Sequence, residues 1–64
     1  MKNKLREIRE EKGISQEELS ERSGVSRTTI SELETEKKEV TTNITLEKIA
    51  TALGEKVSNI FFIN

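Results

Sequence analysis

The stretch that decides the fold is Gly13-Ile14-Ser15-Gln16-Glu17-Glu18-Leu19-Ser20-Glu21-Arg22-Ser23-Gly24-Val25-Ser26-Arg27-Thr28-Thr29-Ile30-Ser31-Glu32-Leu33-Glu34. Ser15-Gln16-Glu17-Glu18 has the form of a capping box, in which the Ser15 hydroxyl accepts from the Glu18 amide and the Glu18 carboxylate reaches back to the Ser15 amide. A helix therefore starts here, with Leu19 and the small Ser20 inward, and it stops at Ser23-Gly24, where glycine takes a left-handed backbone at little steric cost. Ser26 is the N-cap of the next helix, Arg27 to about Glu34, which carries Ile30 and Leu33 inward. A small residue where two helices cross, a glycine where the chain reverses and aliphatics behind are what a near-perpendicular helix pair needs to pack closely.

Outward from this pair the helical signal continues. Upstream, Met1, Leu5 and Ile8 recur at spacings of four and three, predicting a first helix from about Lys2 to Lys12, closed by Gly13, with Ile14 stapling the start of the second. Downstream, Thr35 to Asn43 has no apolar period and is expected to be a loop with Val40 loosely packed or exposed. Leu46, Ile49, Ala50 and Leu53 form a helical stripe that Gly54 ends. A last short helix from Ser58 places Ile60 and Phe61 inward and leaves Phe62 and Ile63 over. No segment alternates with period two for long, and there is no proline. The expected fold is all-α, a compact five-helix bundle in one domain over residues 1–64.

Composition narrows the function. A chain of 64 residues holds one small domain. Without cysteine or histidine it lacks disulfides, thiolate and imidazole metal ligands, and the commonest general base. The carboxylate pairs Glu7/Glu11 and Glu17/Glu21 stand one helical turn apart, an arrangement usual on solvated helix faces, so neither catalysis nor a metal, cofactor or small-molecule site is expected. The longest apolar run, Ile60 to Ile63, predicts no membrane span, and no apolar stretch follows the basic start as in a signal peptide, so the expected compartment is the cytoplasm. The formal net charge of −1 taken alone argues weakly against a polyanion partner. Its distribution is uneven, with Lys2, Lys4, Arg6, Arg9 and Lys12 on the first helix and Lys37-Lys38 between Glu36 and Glu39.

The stretch Gly13 to Glu34 closely resembles the helix-turn-helix of the phage-repressor and Cro-like family of DNA-binding transcriptional regulators, and the likeness continues through Leu46, Ile49-Ala50, Leu53-Gly54 and Ile60-Phe61. The resemblance implies that the helix over about 27–34 lies in the major groove of operator DNA while the preceding helix crosses the backbone. On the face opposite Ile30 and Leu33 it presents Arg27, Thr28, Ser31 and Glu32 as base-reading candidates. Arg27 can grip a guanine bidentately, Thr28 can meet a thymine methyl, and Glu32 can accept from a cytosine amino group. Gln16 matches the family's glutamine at a helix start that meets a phosphate, Ser26 and Thr29 can donate to phosphates, and Lys37 and Lys38 match a basic loop. Where the family often has a glycine soon after the residue matching Glu34, and a proline before the fourth helix, this chain has Thr35, Glu36 and Thr41 in a longer loop.

The family also joins the positions of Arg9 and Glu34 across its first and third helices, so an ion pair is expected there. Phe62 and Ile63, which no helical period accounts for, are the expected contact of a homodimer with two-fold symmetry. The competing reading is a protein-interaction module, an antitoxin- or inhibitor-like use of the same scaffold, with the acidic second helix and the loop facing another protein. Gln16, Ser26 and Arg27 on one face favour DNA; an acidic surface over that face favours the alternative.

Overall fold

Hydroxyl side chains set where the helices begin. Ser15 Oγ accepts from the Glu18 amide at 3.0 Å, Ser26 Oγ from the Thr29 amide at 3.1 Å and Thr42 Oγ1 from the Thr45 amide at 3.2 Å, each satisfying a donor that the helix itself leaves without a partner. The computed structural model describes residues 2–37 and 42–62, and in it the chain runs β1 (Lys2–Asn3), α1 (Leu5–Glu11), α2 (Gln16–Ser23), α3 (Arg27–Glu34), α4 (Asn43–Leu53), α5 (Val57–Ile60) and β2 (Phe61–Phe62). Only half of the capping box forms: the Glu18 carboxylate turns away from the Ser15 amide to accept from the Arg22 guanidinium one turn along α2.

The α2–α3 corner is made by Gly24, whose φ of 74° lets its amide return to the Ser20 carbonyl at 2.9 Å and reverses the chain. The end of α3 has the same left-handed geometry without glycine. Glu36 sits at φ 60°, and the amides of Glu36 and Lys37 return to the carbonyls of Leu33 (3.2 Å) and Glu32 (3.0 Å), closing a Schellman motif. The glycine absent from the sequence here is thus replaced by a residue that holds the same backbone at a cost of about 1–2 kcal/mol.

The core is one cluster drawn from every helix: Leu5, Ile14, Leu19, Val25, Ile30, Leu33, Leu46, Ile49, Ala50, Leu53, Ile60 and Phe61. Within it α2 packs against both α3 and α4, α1 against α3, and α5 against α4. The pair α2–α3 is held from behind, so its outer surfaces are fixed relative to one another.

Among the described residues the fold is mostly helical with five helices, as expected, and the chain ends add a small two-stranded sheet. Lys2–Asn3 pairs antiparallel with Phe61–Phe62, in the register Lys2 to Phe62 and Asn3 to Phe61, and the Lys4 amide donates to the Ile60 carbonyl at 2.7 Å. Two-residue strands are too short for a period-two pattern, which is why the sequence shows none. Asn3 Oδ1 accepts from the Leu5 amide, so α1 starts at Leu5 rather than Lys2, and Asn3 Nδ2 donates to the Leu33 carbonyl at 2.8 Å, tying β1 to the end of α3. At the other junctions α4 begins at Asn43, inside the stretch expected as loop, and α5 at Val57 rather than Ser58. Met1, Lys38, Val40 and Ile63 lie outside the described residues.

Candidate nucleic-acid interface

Burial of Ile30 and Leu33 turns the other side of α3 to solvent. Arg27 and Thr28 are exposed there, and Ser31 and Glu32 are half-buried one turn further on. These four residues line a shallow concavity of about 410 Å³ together with Gln16 from the start of α2 and Thr35 and Lys37 from beyond α3. Groups from two helices and a loop, separate in sequence, thus converge on one surface.

What positions Gln16 lies underneath. Arg9 holds Glu34 bidentately, with Nε 2.7 Å from Oε2 and Nη2 3.2 Å from Oε1, while its Nη1 donates to the Ile14 carbonyl at 2.8 Å. The side chains of Arg9 and Glu34 are only 11% and 3% exposed, so both charges are withdrawn from water and satisfied by each other. Gln16 Nε2 donates to Glu34 Oε1 at 3.0 Å, which makes the carboxylate the meeting point of α1, α2 and α3. The hydrogen bond to Glu34 raises the Arg9 pKa above its usual value against the opposing effect of burial. The ion pair therefore also orients the glutamine at the rim of the concavity.

A helix whose outer face is polar and whose partner helix crosses behind it through a glycine corner is the arrangement a major groove accepts. The family model described as helix-turn-helix matches residues 5–60, most of the chain. The chain belongs to the helix-turn-helix family. The matched family is the phage-repressor and Cro-like branch, a family of DNA-binding regulators. No curated protein matches the chain closely enough to add a relative.

Within this helix-turn-helix the residues singled out from sequence divide into groups. Gln16, Arg27, Thr28, Ser31, Glu32 and Lys37 line the concavity, whereas Ser26 and Thr29 do not. Ser26 is the N-cap of α3 and its hydroxyl donates to Thr29 Oγ1 at 2.9 Å, which leaves the hydrogen of the Thr29 hydroxyl as the one directed elsewhere. Lys38 lies outside the described residues. Thr35, which the sequence places only in the loop, joins the lining residues: it stands eight residues after Arg27 and four after Ser31, on the same helical stripe. Its hydroxyl donates to the Ser31 carbonyl at 3.0 Å, closing the end of the helix.

Phe62 has an account within the chain: it pairs with Lys2, is 37% exposed, and lies under the Lys4 ammonium at 6.0 Å from the ring centre. Its proposed dimer partner in sequence, Ile63, is outside the described residues. Among the described residues no group of three or more acidic, histidine or cysteine side chains is placed to hold a metal, and no helix is long and apolar enough to cross a membrane.

Proposed function

We propose that this helix-turn-helix protein is a sequence-specific duplex-DNA-binding transcriptional regulator, a cytoplasmic repressor that seats α3 in the major groove of its operator and binds as a two-fold homodimer. The observation that carries the reading is the convergence of Gln16, Arg27, Thr28, Ser31, Glu32 and Lys37 on one concave surface at the helix-turn-helix. Arg27, at the exposed start of α3, reads a guanine, Thr28 a thymine methyl, and Glu32 a cytosine amino group, with Ser31 beside them. Gln16, oriented by Glu34, and the α2 N-terminus meet a backbone phosphate, and Thr29, Lys37 and Lys38 complete the positioning contacts.

Selection from random duplexes tests the reading. It begins near about 50 mM salt, because a net charge of −1 makes nonspecific attraction weak. The expected outcome is an enriched half-site, with Arg27→Ala losing about 1–3 kcal/mol on it and relaxing preference at one base pair. If no sequence is enriched, or if Arg27→Ala binds an enriched one like the parent, α3 is scaffold and the protein-interaction reading takes its place.

A further inference from the structure

We propose that the outward face of α4 is where a second copy of this chain docks, with the two α4 helices side by side and parallel about the two-fold axis. The proposal rests on the homodimer reading above and gives it a surface, different from the chain end at Phe62.

Ile44, in the first turn of α4, is 64% exposed, far more than any other large apolar side chain among the described residues. It borders a second concavity, of about 510 Å³, along with Glu47, Lys48, Thr51 and Ala52 of α4 and, from the end of α2, Ser23 and Arg22, whose guanidinium is already paired with Glu18. This concavity shares no lining residue with the one on α3.

Helical spacing orders these residues. At about 100° per residue, Thr51 falls about 20° from Ile44, Glu47 about 60° to that same side and Lys48 about 40° to the other. The face thus has Ile44 and Thr51 along its middle, an acid on one flank and a base on the other. Arg6, Arg9, Lys12 and Arg22 each meet a carboxylate within the chain, but neither Glu47 nor Lys48 makes an ion pair among the described residues.

That pattern commits the face to its own copy and to one orientation. A two-fold axis running along the helices carries each flank of one copy to the opposite flank of the other, so Glu47 meets the partner's Lys48 on both sides of an Ile44–Ile44 contact. One residue separates the two charges in sequence, a rise of only about 1.5 Å, so they stand almost level. An antiparallel pairing would set acid beside acid and base beside base. The patch is small for a stable interface, so the dimer is expected to be weak in solution and to be strengthened when two copies sit on one operator.

The test is sedimentation of the full chain from low micromolar to near-millimolar concentration, free and on the selected operator duplex, with helicity and melting checked by circular dichroism. The parent is expected to dimerise. Ile44→Ser, at an exposed position, is expected to keep the fold and abolish the free dimer. Glu47→Lys and Lys48→Glu alone each turn two attractions into two repulsions and are expected to weaken it about tenfold, while the double exchange restores it. Phe62→Ala is expected to leave it unchanged. A parent monomeric at every concentration, free and on DNA, would overturn the dimer reading itself. A dimer indifferent to Ile44→Ser but lost in Phe62→Ala would overturn only the α4 surface, and single reversals that the double exchange does not rescue would overturn the parallel pairing.

Discussion

Replacing Arg9 by alanine removes the guanidinium from the junction of three helices. The change strands a Glu34 carboxylate whose side chain is 3% exposed, leaves it the Gln16 amide alone, and takes the donor from the Ile14 carbonyl. An uncompensated buried charge costs about 3–5 kcal/mol and an orphaned carbonyl about 1 kcal/mol more, less whatever water entering the vacated space recovers. A loss of about 4 kcal/mol compares with a total of roughly 3–10 kcal/mol for a 64-residue domain, so the variant should be partly unfolded near room temperature. With no tryptophan or tyrosine to report, urea melts followed by far-ultraviolet circular dichroism measure it. Arg9→Met combined with Glu34→Leu removes both charges and should regain most of the loss, short only of the bonds to Ile14 and Gln16. The reasoning is refuted if Arg9→Ala lies within about 1 kcal/mol of the parent, or if the double variant is no more stable than Arg9→Met.

Glu36→Gly relieves a left-handed backbone and should raise stability by about 0.5–1 kcal/mol, a few degrees in Tm, once the added freedom of the unfolded chain is subtracted. It should also tighten DNA binding by removing an anion beside Lys37; thermal melts and binding isotherms check the two effects separately. Lys37→Ala should weaken all duplexes nearly equally and flatten the salt dependence by about one unit of slope for each phosphate it no longer neutralises, measured by titration across salt concentrations. Glu55 accepts from Asn59 at 3.2 Å and meets Lys12 at 3.3 Å, and the Asn59 bond first, then Lys12, holds its carboxyl below the usual 4.5. A depressed carboxylate contributes stability above its unfolded value and loses it as pH falls through the lower folded one. Glu55→Gln should therefore lower Tm near neutral pH and converge on the parent in acid, below the ordinary carboxylate range; a constant offset at every pH would contradict this.

Local chemistry in the chain was enough for the helices that carry the site. Ser15, Ser26, Gly24 and the stripes Ile30/Leu33 and Leu46/Ile49/Ala50/Leu53 act through neighbours a few residues away, so their meaning survives in one dimension, and the structure places caps, corner and core on them. Other features depend on residues far apart. Lys2–Asn3 becomes a strand only because Phe61–Phe62 lies alongside, and Asn3 acquires a role only where the Leu33 carbonyl needs a donor. Glu36 reads as an ordinary loop residue until the amides of Glu36 and Lys37 fold back on α3 and force its φ positive. Gln16 reads as a residue facing outward until Glu34, fixed by Arg9, anchors one end of its amide. In each case the deciding partner is a backbone carbonyl, amide or buried charge left unsatisfied by the fold, and the need to satisfy it arises only when distant segments exclude water from the same place.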